Sequence, residues 1–147
     1  MPGIIVGIDG SDHSRLALTW AMREAVSHRV PLTIVTVRPA QVRPATGIFW
    51  GIHDYAENGQ DLEHTQRAVR EFADRVANDI GQTVPDITVS VETGDAAEEL
   101  VRASQDADML VVGSRGGGGF AKLLMGSVSS QVTHHAACPV VVVPGTR

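Results

Sequence analysis

The sequence predicts an open α/β fold, in which a parallel sheet is covered by helices on both faces. Three short runs, at residues 3–8, 109–112 and 140–143, are apolar throughout, which suits strands buried between two layers. Between the predicted strands lie segments whose apolar residues recur at helical spacing. Alternating strands and helices imply right-handed crossovers and a mostly parallel sheet. The predicted order is βαβαβαβαβ.

The first half of the chain contains two predicted strands and one helix. A strand over residues 3–9 is followed by a helix that Ser11 or Asp12 can cap and that Pro31 ends. A second strand covers residues 32–37. Residues 38–58 have no clear period and form a long loop, a length that is usually functional. Its aromatic residues can cover a ligand, bind a partner or pack on the domain, and they are Phe49, Trp50 and Tyr55.

The second half continues the alternation. The next helix ends at Gly81, and its apolar stripe consists of Leu62, Thr65, Val69, Phe72, Val76 and Ile80. Residues 87–92 alternate strictly between apolar and polar, which is typical of an edge strand. Asp95 is the predicted cap of a helix that runs to about Gln105. A helix over residues 127–136 and a strand over residues 140–143 complete the chain.

Composition narrows the class of protein. The chain has 147 residues, 43% of them hydrophobic, and 12 basic against 17 acidic residues give a net charge of −5. One domain over residues 1–147 is expected at this length. The negative charge argues against a nucleic-acid partner, and no apolar run is long enough to cross a membrane. The single cysteine, Cys138, indicates a reducing compartment. We therefore expect a cytoplasmic protein that lacks an N-terminal signal peptide.

A glycine-rich segment follows the fourth predicted strand, where open parallel sheets bind ligands. Its spacing is Gly113, two residues, Gly116, nine residues, and then Gly126-Ser127. Gly113 lets the backbone approach a ligand, and Gly116 can adopt a positive φ. The helix that begins near Ser127 offers free N–H groups to an anion. Together with two nearby cations, Arg115 and Lys122, these features predict a phosphate-binding loop. Neither a Walker A sequence nor a G-x-G-x-x-G fingerprint is present.

This spacing resembles the ATP-binding motif of the universal stress protein family, and the resemblance covers essentially the whole chain. It includes the opening residues 5–11, the helix after them, the glycine motif, and the ending Ala137-Cys138-Pro139-Val140-Val141-Val142-Val143-Pro144. The resemblance implies a flavodoxin-like fold, also described as adenine-nucleotide α-hydrolase-like. That fold has a five-stranded parallel sheet of order 3-2-1-4-5 with helices on both faces. It also implies that homodimers are common.

The same resemblance implies a set of ATP-binding residues. Asp9 contacts the adenosine part with Gly7 beside it, and the backbone of Val37 holds the adenine. The ribose and phosphates are lined by Gly113, Ser114, Arg115 and Gly116, and closed over by Gly126, Ser127 and Val128. The loop continues through Gly117, Gly118 and Gly119, an unusually dense run of glycines that we include in the ATP site. Asp9 is also the candidate ligand for Mg²⁺.

The expected function is ATP binding by a nucleotide-responsive stress or regulatory protein, with slow ATP hydrolysis at most. The alternative is a dimeric module that binds unknown protein partners and uses AMP, cyclic AMP or no nucleotide. An adenylyl-transfer enzyme of the same broad fold is disfavoured, because residues 7–11 do not form its serine-glycine-glycine loop. Asp9 has a competing structural interpretation as the cap of the turn after the first strand.

Three further predictions concern the end of the chain. The strand Val140–Val143 lies at a sheet edge in the predicted order, so we expect a homodimer through it. His134 and His135 are adjacent and point in different directions on a helix, so we expect exposed residues rather than metal ligands. Cys138 is expected to be a small core residue, with a minor redox role left open.

Overall fold

The computed structural model describes residues 3–38, 59–114 and 126–145. Its elements, in chain order, are β1 (Ile4–Gly7), α1 (Asp12–His28), β2 (Leu32–Arg38), α2 (Gly59–Ile80), β3 (Ile87–Thr93), α3 (Ala96–Ser104), β4 (Met109–Gly113), α4 (Ser127–His135) and β5 (Val140–Val143). The five strands form one parallel sheet of order β3-β2-β1-β4-β5. The predicted fold class and strand order are confirmed. The aromatic residues of the long loop, Phe49, Trp50 and Tyr55, lie outside the described residues.

The central strand β1 supplies both cores, because successive side chains of a strand point to opposite faces. Ile4 and Val6 lie in a first core with α1 and α2, whereas Ile5 lies in a second core with α3 and α4. This explains why the run is apolar at every position. The helices after β1 and β2 therefore cover one face of the sheet, and those after β3 and β4 cover the other.

The ends of the helices follow from local hydrogen bonds. The Ser11 hydroxyl accepts from the Ser14 N–H at 3.2 Å, and an Asp95 carboxylate oxygen accepts from the Glu98 N–H at 3.0 Å. Ser11 and Asp95 are thus confirmed as helix caps. Helix α1 ends where Arg29 turns to φ 56°, two residues before Pro31. Gly81 ends α2 with φ 66°, a conformation that glycine adopts without strain.

The predicted apolar stripe of α2 is wrong at one position. Leu62 is 38% exposed, whereas the next stripe residue, Thr65, is 1% exposed. The 22 residues of α2 span about 33 Å, and the seven residues of β2 span only about 23 Å. The helix is therefore longer than the strands of the sheet, which agrees with the exposure of Leu62 in its first turn.

The strictly alternating strand is β3, and it lies at one edge of the sheet as predicted. Its apolar residues Ile87 and Val89 pack against the first core, while Thr88 is exposed. Within the described ranges, no helix has both the length and the apolar character needed to cross a bilayer.

Candidate functional site

The carboxyl ends of three parallel strands meet at one edge of the sheet. In the register, Gly7 of β1 lies beside Val35 of β2, and Val6 lies beside Val111 of β4. The helix after β1 covers one face and the helix after β4 covers the other. The chain therefore leaves β1 and β4 in opposite directions. This is the reversal point at which open α/β sheets form a crevice for ligands.

The peptide groups of Ser114 join the two described ends of the glycine motif. The Ser114 N–H donates to the Val143 carbonyl at 2.9 Å. The Ser114 carbonyl accepts from the Gly126 N–H at 2.5 Å and from the Ser129 hydroxyl at 3.1 Å. The start of α4 is thereby held against the end of β4, although eleven residues separate Ser114 from Gly126 in sequence. The residues between them, including Arg115, Gly116, Gly117, Gly118, Gly119 and Lys122, lie outside the described part of the chain.

The N-terminus of α4 differs from those of α1 and α3. Its cap residue is Gly126, and no side chain caps it in the described structure. Ser127, the first residue of the helix, is exposed, and Val128 is half-buried. Amide groups in the first turn of a helix lack intrahelical partners and carry partial positive charge. The start of α4 can therefore hold an anion, which is the chemistry that the motif spacing predicts.

Sequence reasoning missed Ser129, which is 2% exposed and holds the motif together. Its single O–H is shared between the Gly126 carbonyl at 3.0 Å and the Ser114 carbonyl at 3.1 Å. A buried serine two residues after the helix start is a weak signal. Only its proximity to Ser114 in space reveals its role.

Asp9 lies just beyond β1 and is half-buried. One of its carboxylate oxygens accepts from the Ser11 N–H at 2.9 Å. This hydrogen bond confirms the structural interpretation of Asp9 as a turn cap. The turn is fixed from the other side by the buried Thr36 hydroxyl, which donates to the Ile8 carbonyl at 2.8 Å. A carboxylate has about four acceptor positions, so the turn bond is compatible with a ligand contact.

The backbone of Val37 projects past the end of β1. Alternate residues of a parallel strand bond to opposite neighbours, and the Val35 carbonyl accepts from the Ile8 N–H on the β1 side. Val37, two residues further on, faces the same way, but β1 ends at Gly7, opposite Val35. The N–H and C=O of Val37 therefore point past the end of β1, toward the crevice. The Val37 side chain packs on the second core.

Two glycines of the predicted site have packing reasons that the sequence did not show. A Cβ at Gly113 would lie 2.9 Å from the His13 carbonyl oxygen, so the backbone of α1 occupies the space that a side chain at residue 113 would need. A Cβ at Gly7 would lie 2.9 Å from a methyl carbon of Leu100. The missing side chain at Gly113 thus admits the backbone of α1, a packing reason that stands beside the predicted approach of a ligand.

The remaining predictions concern α4 and the segment after it. His134 and His135 are exposed, as predicted. Cys138 is only half-buried, packing at the margin of the second core, so its assignment as a core residue is wrong in degree. Partial burial raises the pKa of the Cys138 thiol, a hydrogen bond with the Leu110 backbone opposes this, and the charge of Asp108 adds to it. A raised pKa disfavours the thiolate that redox chemistry needs.

Taken together, the sheet order and the backbone groups at the reversal point define a doubly wound α/β protein with a candidate anion site. The chain belongs to the universal stress protein family, whose family model matches residues 2–144. The universal stress protein Rv2624c of Mycobacterium tuberculosis (strain ATCC 25618 / H37Rv) is 38% identical over 143 residues. That alignment covers 97% of this chain and 48% of the relative, so the chain spans about half the length of the curated relatives it matches.

Solved structures agree with this assignment. The universal stress protein UspA from Lactobacillus plantarum superposes with a TM-score of 0.74 at 22% identity, covering 97% of each chain. A universal stress protein in complex with cAMP gives a TM-score of 0.65 at 28% identity, covering 97% of this chain and 95% of its own. An Arabidopsis thaliana family member with AMP bound gives 0.61 at 19% identity, covering 99% and 93%. At identities of 19% and 22%, the similarity shows the fold alone.

The two glycines differ in what an added methyl group would meet, and this gives a stability test. We expect Gly113→Ala to lower the free energy of unfolding by about 1–3 kcal/mol, because the backbone of α1 cannot move aside. Gly7→Ala should cost less, because the end of a leucine side chain can adjust. Urea unfolding of both variants measures the difference. Equal costs, or a larger cost at Gly7, would contradict the packing described here.

Proposed function

We propose that this chain is a cytoplasmic universal stress protein domain that binds ATP and acts as a nucleotide-responsive regulatory protein. The observation that supports it best is the bonding of the Ser114 carbonyl to Gly126 and Ser129. This bonding places the uncapped start of α4 beside the end of β4. A fixed helix start at the reversal point of an open sheet is a suitable site for a phosphate group.

The phosphate end of the proposed site is formed by the first turn of α4 and the end of β4. The amide groups of Ser127 and Val128 contact the phosphates, and the Ser127 hydroxyl adds a donor. Gly126 lies beside them without a side chain, and its own N–H is donated to the Ser114 carbonyl. Gly113 and Ser114 line the ribose and phosphates from the β4 side. On the evidence of the motif, Arg115 and the glycines Gly116, Gly117, Gly118 and Gly119 complete this lining. The positive end of the helix dipole offsets phosphate charge.

The base end of the proposed site is the backbone of Val37. Its N–H donor and C=O acceptor project past β1, as the ladder between β1 and β2 requires. One edge of adenine presents a ring-nitrogen acceptor beside an amino donor, which is the complementary pair. Asp9 lies between the two ends with Gly7 beside it. There its carboxylate can contact the ribose hydroxyls or hold Mg²⁺. The two relatives with bound AMP and cAMP support an adenine nucleotide as the ligand class.

A second candidate ligand is cyclic AMP or AMP, because a universal stress protein 28% identical is in complex with cAMP and the Arabidopsis thaliana family member has AMP bound. In that case the protein is a partner-binding dimeric module that responds to these nucleotides. Calorimetric titration with ATP, AMP and cAMP decides between the two. We expect ATP to bind most tightly, since its longer phosphate chain can contact more residues of the glycine motif.

We also propose a homodimer through β5. The Leu110 N–H donates to the Pro139 carbonyl and the Ser114 N–H donates to the Val143 carbonyl. The alternation of a parallel ladder then turns the N–H and C=O groups of Val140 and Val142 away from β4. These groups form an outer edge on a strand that carries no charge. A second copy related by a two-fold axis can bond to them.

The Ser127→Asp variant tests the phosphate site. A carboxylate in the first turn favours the helix but repels a phosphate, so we expect ATP to bind at least tenfold more weakly at unchanged thermal stability. Binding of adenosine, which has no phosphate, should be unaffected. Calorimetric titration and a thermal melt of the same sample give both quantities.

The matched control for this test is Gln131→Glu. Gln131 is exposed on α4, one turn further along the helix, and the change adds the same unit of charge. ATP affinity should change by less than about twofold in this control. Equal weakening in both variants would assign the effect to net charge, and no weakening in either would reject the phosphate site.

Hydrolysis of ATP is expected to be slow. Phosphoryl transfer needs a positioned base and metal ligands in addition to a phosphate site, and the proposal assigns only Asp9 to such a role. We expect fewer than about one turnover per second, the low end for dedicated enzymes. A phosphate-release assay with excess Mg²⁺ measures this, and faster turnover would reject the proposed regulatory role.

The Val142→Pro variant tests the dimer. Proline removes an N–H that faces away from β4, so the fold should persist while edge pairing is lost. Light scattering after size-exclusion chromatography should show a dimer for the native chain and a monomer for the variant. A native chain that stays monomeric at micromolar concentration contradicts the proposal.

A further inference from the structure

His13, in the first turn of α1, contacts two separate segments of the chain. Its carbonyl oxygen lies against Gly113, at 2.9 Å from the position of an added Cβ. Its imidazole occupies the space in front of Gly145, where an added Cβ would lie 2.5 Å from Cε1 and 2.7 Å from Nδ1. One residue therefore connects the end of β4, in the proposed nucleotide site, with the segment that follows β5.

The imidazole of His13 is not fully satisfied in this position. Its Nδ1 is buried and has no hydrogen-bond partner among the described residues. A buried polar atom without a partner is costly and needs an explanation. The imidazole of His13 therefore meets Gly145 by close packing, without a hydrogen bond from Nδ1 to any described residue.

The peptide groups of Ser114 form a second connection between the same two regions. The Ser114 N–H bonds to Val143, the last residue of β5, and its carbonyl bonds to Gly126 and Ser129 at the start of α4. Direct hydrogen bonds therefore connect the end of β5 with the helix start, independently of His13.

We propose that pairing of a second copy of this chain on β5 regulates nucleotide affinity, through the Ser114 peptide groups and the His13 imidazole. The proposal rests on the proposed nucleotide site and dimer. Pairing along Val140 and Val142 fixes the end of β5, including Val143 and the segment up to Gly145. This holds the imidazole and the start of α4 in one arrangement. Dimer and nucleotide then stabilise each other.

Thermodynamic linkage makes this coupling measurable from both sides. Saturating ATP should tighten the dimer, measured by sedimentation equilibrium, by a factor between about 5 and 150. The monomeric variant Val142→Pro should bind ATP more weakly than the native dimer by that same factor, measured by calorimetric titration. The two factors must agree, because the coupling is reciprocal.

A double-variant experiment tests the part played by His13. Gly145→Ala places a methyl group against the imidazole and should weaken ATP binding at least tenfold. His13→Ala removes the imidazole, so adding Gly145→Ala to it should have no further effect on ATP affinity. The matched control is Pro144→Ala, an exposed neighbour in the same segment, which should bind ATP like the native chain.

Ser129→Ala provides a readout that does not depend on Gly145→Ala folding. It removes a bond to the Ser114 carbonyl, so the coupling factor should fall toward one while the dimer still forms. Equal ATP affinity in monomer and dimer would overturn the coupling and leave the proposed function standing. If the double variant binds ATP more weakly than His13→Ala alone, the role proposed for the imidazole is wrong. Absence of any nucleotide binding by the native chain would instead reject the proposed function itself.

Discussion

The hydrogen bonds of the Ser114 peptide groups organise this end of the molecule. The N–H side completes the ladder between β4 and β5, and the carbonyl side receives two donors from the start of α4. Helix α4 and the edge strand β5 are thus both hydrogen-bonded to one residue, Ser114. Without these bonds the first turn of α4 would have no fixed place at the reversal of the chain, and the crevice would lack its positively polarised wall.

Close packing limits what can change around that point. Helix α1 approaches β4 so nearly that residue 113 has no room for a side chain, and His13 in turn fills the space before Gly145. These contacts serve stability first. A glycine in a ligand-binding motif can therefore be required by the fold alone, so its presence does not by itself demonstrate a ligand.

The candidate site divides into parts with different physical origins. In the proposed site, the phosphate end depends on the dipole of α4 and on the amide groups of its first turn, which recognise negative charge rather than a particular ligand. The proposed base end depends on the extra length of β2 beyond β1, which directs one N–H and one C=O of Val37 past the end of β1. Selectivity for adenine would come from this second part, because its donor and acceptor have a fixed order and spacing.

The sheet order was implied by the resemblance to a known family. Hydrophobic periodicity in the sequence was enough to predict the alternating elements, and the residue types before two helices predicted the caps Ser11 and Asp95. These follow from short-range patterns, since burial repeats every two or about 3.6 residues. The tertiary structure decided the exposure of Leu62, the packing reason for Gly113, the direction of the Val37 backbone, and the contacts of Ser129 and His13. Each of these depends on atoms distant in sequence, and steric exclusion between distant segments leaves no local pattern to read.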